Sequence, residues 1–170
     1  MTYVARALIS ISRSLFPLSH RREDTAIYGL SMGGFGALAS GLGHPETFGH
    51  VGSQSGMVDI GWAIRTRPFM DRKHGRMFGT PADITGTCYD FYDVTRKLSR
   101  SDNSKPRIFQ SWGQDDYLME INEAYHRHLA GLDLDYTWHR IPGPHGWGVN
   151  GLGLGLFLDW LKCGMEKEGE

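Results

Sequence analysis

The sequence predicts an α/β fold, a mostly parallel sheet of about four strands flanked by helices. Three observations lead there. Short apolar runs of strand length alternate with segments of helical periodicity. A Gly-x-Ser-x-Gly pentapeptide, Gly29-Leu30-Ser31-Met32-Gly33, stands between one such run and one such segment. Two further loops rich in chemistry, around Asp115-Asp116 and around His145, each follow a predicted strand, and open parallel sheets place ligands at that edge.

The elements follow in order. Tyr3, Val4, Ala7, Leu8, Ile11, Leu15 and Phe16 recur at three- and four-residue spacing. This predicts an amphipathic helix, with Thr2 as N-cap and Pro17 as its stop. Thr25–Leu30 is a short apolar run and predicts a buried strand. Met32–Leu42, rich in Gly, Ala and Leu, predicts a helix narrow enough to pack closely on a sheet, ended by Gly43 and Pro45. A second strand is expected over Gly49–Gln54. Met57–Lys105, with many aromatic and Met residues broken by Gly and Pro, predicts an irregular insertion with short helices, lid-like in character. Arg107–Trp112 is the third strand. Leu118, Ile121, Tyr125, Leu129 and Leu132 mark a helix, and Leu134–Ile141 the fourth strand. Leu156, Phe157, Trp160 and Leu161 define a closing helix.

At 170 residues the chain reads as one domain, 1–170, with the insertion at 57–105. Eighteen Lys and Arg against nineteen Asp and Glu leave a net charge of −1, so no electrostatic ground exists for a nucleic-acid or anionic-membrane partner. No apolar run approaches the ~18–20 residues that span a bilayer. No basic segment followed by an apolar stretch and a small-residue cleavage site opens the chain, so no secretory signal is expected. The two cysteines, Cys88 and Cys163, do not make a disulfide framework for a domain of this size, and a cytoplasmic setting is expected.

The pentapeptide carries a specific chemistry. A tight strand-to-helix turn strains the backbone at Ser31 and projects its hydroxyl from the end of the strand. Gly29 and Gly33 are expected to leave room where a Cβ would clash. The backbone N–H of Met32 sits at a helix N-terminus, where it can bind an oxyanion. A rival pattern overlaps: Gly34-Phe35-Gly36-Ala37-Leu38-Ala39 fits the dinucleotide fingerprint, with Asp59 downstream as a ribose-binding acid. The turn falls at Ser31, however, which places Gly34 and Gly36 inside the helix, where close packing on the sheet is expected to explain them.

A serine nucleophile needs a base, and the base needs an orienting acid. The order Ser31, Asp115-Asp116, His145 supplies all three, each on a loop after a strand. Either carboxylate can instead cap the helix that follows. Of the eight histidines, His20, His44, His50 and His74 lack a matching context, and His126 and His128, two apart on a helix, point different ways, so a metal site has little support.

These residues resemble a family. Gly29–Ala37, then His44-Pro45-Glu46-Thr47-Phe48-Gly49, Ser53-Gln54-Ser55-Gly56, Trp112–Leu118, Gly143-Pro144-His145-Gly146-Trp147 and Phe157–Leu161 are similar to the esterase D group of α/β hydrolases, which includes tributyrin esterases. The resemblance implies a serine esterase of small acyl esters working through an acyl-enzyme, without a cofactor or metal. It places nucleophile, acid and base on Ser31, Asp116 and His145, and an oxyanion donor on Met32. It also implies that 1–170 correspond to the C-terminal part of the fold, a truncated α/β-hydrolase-like sheet with the nucleophile strand at its edge. That edge is expected to be covered by a homo-oligomer partner or by a separate N-terminal segment. The alternatives are a non-catalytic remnant or interaction module lacking the second oxyanion loop, and the dinucleotide-binding oxidoreductase.

Overall fold

A computed structural model of the chain describes residues 3–66 and 76–167. Four strands, β1 (Ala26–Leu30), β2 (His50–Gln54), β3 (Arg107–Gly113) and β4 (Tyr136–Ile141), form one parallel sheet in the order β1-β2-β3-β4. A π-helical turn, Tyr3–Leu8, leads into α1 (Ile9–Leu15). The other helices are α2 (Met32–Gly43), α3 (Ile60–Thr66), α4 (Pro81–Ile84), α5 (Phe91–Ser99), α6 (Met119–Leu129) and α7 (Trp147–Lys167).

Parallel neighbours need crossovers; α2, the α3–α5 stretch and α6 supply them on one face, and α7, which follows β4, covers the other. On one face Phe35, Leu38, Val51, Phe91, Leu98, Ile108, Ile121, Tyr125 and Leu129 form the main core. On the other, Phe157 and Trp160 of α7 meet Phe109 of β3, and Phe157 also stacks on Tyr28 of β1. Every residue of β2 is buried, whereas Ala26 of β1 is exposed and the rest of that strand half-buried. Among the described residues no strand pairs with the outer edge of β1. Among the described residues the strand that leads to Ser31 is thus at an edge, where the resemblance placed it.

Two expectations change. The first helix forms, but of its apolar residues Tyr3, Val4, Leu8, Ile11, Leu15 and Phe16 all remain exposed, and Ala5 is the buried one. Periodicity gives a stripe; it does not supply the surface that covers it. Thr2, the expected N-cap, lies outside the described residues. The closing helix begins at Trp147, well before Leu156. Gly148, Gly151, Gly153 and Gly155 lower its intrinsic propensity by about 1 kcal/mol each, but burial of Val149 and Phe157 against the sheet outweighs this. Within 57–105, α5 lies in the core through Phe91, Thr95 and Leu98; residues 67–75 of that stretch lie outside the described residues.

Candidate active site

Ser31 joins β1 to α2 with φ 56° and ψ −115°, a conformation rare for a residue with a side chain. The neighbours hold it there. Its N–H donates to the Gln54 carbonyl at 2.8 Å, and its own carbonyl accepts the Phe35 N–H at 3.1 Å, opening α2. A Cβ on Gly29 would run into the backbone of Gly33. Gly33 itself has open space where a Cβ would stand, contrary to expectation; the crowded partner is Gly34, whose Cβ would come within 2.8 Å of Ser53 Oγ and 3.0 Å of Gly56 Cα. Helix α2 therefore crosses the end of β2 too closely for a side chain at 34. Gly36 has no such neighbour, and packing does not explain it. The glycines of the dinucleotide pattern lie inside α2, and Asp59 accepts the Trp62 N–H at 2.7 Å, capping α3.

The loops after β3 and β4 are tied to each other by backbone. Gln114 N–H donates to the Ile141 carbonyl at 2.7 Å and Asp115 N–H to the Gly143 carbonyl at 3.0 Å. This brings His145 over Asp116. His145 Nδ1 lies 2.8 Å from Asp116 Oδ2 and 3.0 Å from Oδ1, and its Nε2 lies 3.1 Å from Ser31 Oγ. An ionised carboxylate cannot donate, so Nδ1 carries the ring proton. Nε2 is then the acceptor facing the Ser31 hydroxyl, the tautomer a general base needs. The Asp116 side chain is fully buried, and Oδ1 also accepts the Leu118 N–H at 2.7 Å. Asp115 is exposed. Neither carboxylate caps α6, whose N-cap is Leu118 without a side-chain bond. The Tyr117 ring lies 4.6 Å, centroid to centroid, from His145.

The structure thus brings together Ser31, Asp116 and His145, with Met32 as the first residue of α2. The other described histidines go elsewhere. His126 Nδ1 meets the Tyr136 hydroxyl, His128 Nε2 meets Thr95, and His44 pairs with Glu46. Among the described residues no group of three or more His, Cys, Asp or Glu is placed to hold a metal ion. Sequence reasoning missed the Leu118 N–H, a bond made within two residues of Asp116, and also the Tyr117 ring and the side chain of Gln54, whose partners His145 and Val149 are distant in sequence and reported by no local pattern.

A serine on a strand-to-helix turn, hydrogen-bonded to a histidine that a buried aspartate orients, at the C-terminal edge of a parallel sheet, defines an α/β hydrolase. An S-formylglutathione hydrolase from Staphylococcus aureus shares that fold: its structure superposes with a TM-score of 0.78 at 22% identity, over 91% of this chain and 61% of that one. The family model Esterase, described as "Putative esterase", matches residues 1–132, and the chain belongs to this family. An acetyl esterase of Caldicellulosiruptor saccharolyticus is 28% identical over 166 residues, 94% of this chain and 62% of that protein. An iron(III) enterobactin esterase of Escherichia coli (strain K12) is 43% identical over 145 residues, 84% of this chain and 30% of that protein. The chain spans less than two thirds of the length of each.

Proposed function

We propose that this chain is a serine carboxylic-ester hydrolase for small acyl esters, acting through an acyl-enzyme. The observation that carries the reading is His145, held between Ser31 Oγ at 3.1 Å and the Asp116 carboxylate at 2.8 Å. Ser31 Oγ attacks the ester carbonyl as His145 Nε2 takes its proton. The oxyanion that forms is met by the Met32 N–H at the start of α2. His145 returns the proton to the departing alcohol, then activates a water that releases the acyl group. Asp116 holds the ring in its tautomer and balances the imidazolium. The acetyl esterase relative supports a small acyl group. A fluorophosphonate probe is expected to label the wild type and not Ser31→Ala; equal labelling of both would sink the assignment.

The same proposal keeps a single domain, 1–170, with residues 57–105 as a lid-like insertion. Phe78 and Tyr89 pack ring to ring on Phe35, one turn beyond Ser31, which supports a role beside the site. A cytoplasmic setting rests on two free, exposed thiols, Cys88 and Cys163. No described helix is long and apolar enough to cross a membrane. The outer edge of β1 calls for a cover, because unpaired strand edges invite pairing. A homo-oligomer or a separate N-terminal segment would provide it. Sedimentation at micromolar concentration is expected to show self-association of the isolated chain; a stable monomer at all concentrations counts against the homo-oligomer.

A further inference from the structure

Gln54 is wholly buried at the C-terminal end of β2, in the strand between the one that leads to Ser31 and the one that leads to Asp116. In the sheet register it pairs with Leu30 on one side and with Ser111 on the other. Its carbonyl accepts the Ser31 N–H at 2.8 Å. Its side-chain Nε2 donates to the Val149 carbonyl at 2.7 Å, in the first turn of α7 and four residues beyond His145. Its Oε1 accepts the hydroxyl of Tyr28, three residues before Ser31. The orientation of the amide is dictated by its partners, since a carbonyl only accepts. Burial pushes the Tyr28 hydroxyl up to about 12, so it keeps the proton it donates. Gly153 leaves the space the amide occupies: a Cβ there would meet the amide carbon, nitrogen and oxygen.

We infer that Gln54 is a positioning residue that sets the distance between Ser31 Oγ and His145 Nε2. The inference rests on the esterase reading above. Its main-chain carbonyl holds the nucleophile turn, while its side chain holds the start of the helix that follows the histidine. The backbone bond from Asp115 to Gly143 ties the same loop to the acid's side. The histidine loop is therefore fixed from both directions, and Gln54 is the tie on the serine's side. With that tie gone, α7 can shift at its first turn. The Nε2–Oγ contact loosens, while the Nδ1–carboxylate contact, carried by the β3–β4 loop pair, stays.

The test uses the full chain and three variants. Gln54→Met keeps length and bulk and removes both side-chain hydrogen bonds. Tyr28→Phe removes one. Gly153→Ala displaces the amide while replacing a poor helix former by a better one. Two readouts are taken: kcat and KM for p-nitrophenyl acetate, and the ring ¹⁵N resonances of His145 in the free protein. Gln54→Met is expected to lower kcat about 10- to 100-fold, the scale of a small misplacement of reacting groups, with KM within about twofold. Its Nε2 resonance is expected to move from the Ser31-bonded position while Nδ1 remains bonded to Asp116. Tyr28→Phe and Gly153→Ala are expected to move both readouts the same way by less. Wild-type kcat and an unmoved Nε2 resonance in Gln54→Met would overturn the inference. If Gln54→Met does not fold, wild-type values in the other two variants overturn it equally. A wild-type chain that hydrolyses no ester refutes the activity reading instead, and the resonances alone then decide the positioning.

Discussion

Asp116→Asn tests the proposed chemistry most sharply, because the structure dictates how the new amide must sit. Two N–H groups converge on the buried carboxylate: Leu118 N–H at 2.7 Å on Oδ1, and His145 Nδ1 at 2.8 Å on Oδ2. An asparagine oxygen in the place of Oδ1 keeps the bond to Leu118. Its NH₂ then faces Nδ1, and two donors cannot share that gap. The ring resolves the conflict by moving its proton to Nε2. From there it donates to Ser31 Oγ and can no longer accept the proton of the attacking hydroxyl. The opposite flip of the amide places its NH₂ against the Leu118 N–H and strands a buried donor, at about 1–3 kcal/mol. The wrong tautomer therefore prevails. Loss of the base in this way costs about 10⁴ in kcat, or about 5 kcal/mol. Stability should barely change, since every buried group keeps a partner. The assay is p-nitrophenyl butyrate hydrolysis beside a thermal melt. Asp115→Asn is the control: Asp115 is exposed and its contact with Gly143 is through backbone, so it is expected within about twofold of wild type, as for surface changes away from special features. Full activity in Asp116→Asn, or its loss in Asp115→Asn, would refute the reasoning.

Two further outcomes are expected. Ser31→Gly and Ser31→Ala both lose the hydroxyl, but only glycine is at ease at φ 56°; Ser31→Gly should therefore melt higher than Ser31→Ala by about 2–4 °C, the equivalent of roughly 1 kcal/mol in a chain of this size, and a lower melting point would refute strain at the turn. His126 and His128 are both held below their ordinary value of 6.5, chiefly by burial. The unfolded chain thus binds more protons as pH falls below about 6.5, and their stabilising contribution, complete above that value, is lost as pH drops toward the folded values. Thermal melts are expected to fall from pH 7 to about pH 5 and to flatten in the double variant His126→Gln, His128→Gln; a flat wild-type profile would count against it.

Much of the proposed site was legible because its determinants are local. The pentapeptide around Ser31 encodes its own turn: Gly29 is required by the backbone of Gly33 only four residues away. The order of serine, acid and histidine, each just past a strand, is a property of the chain and of the rule that parallel strands end on one edge. Asp115 and Asp116 are less easily told apart. Adjacent residues on a loop point in different directions, and residue type does not distinguish them; the resemblance favoured Asp116, and the geometry buries that side chain against His145 while leaving Asp115 exposed.

What the tertiary structure alone decided are the contacts that close across the sheet. Whether the first helix buries its stripe depends on a surface elsewhere, and here Leu15 and Phe16 stay exposed. Where α7 begins depends on what Val149 and Phe157 pack against, which offsets four glycines that argue against a helix. The bond from Gln54 to Val149 joins residues 95 positions apart. Sequence periodicity specifies secondary structure and the sheet edge at which functional loops gather, because those follow from backbone sterics and neighbours within a few residues. It is silent on long-range partners, because a side chain's hydrogen bonds are settled only when the fold excludes water and leaves each buried donor one acceptor within reach.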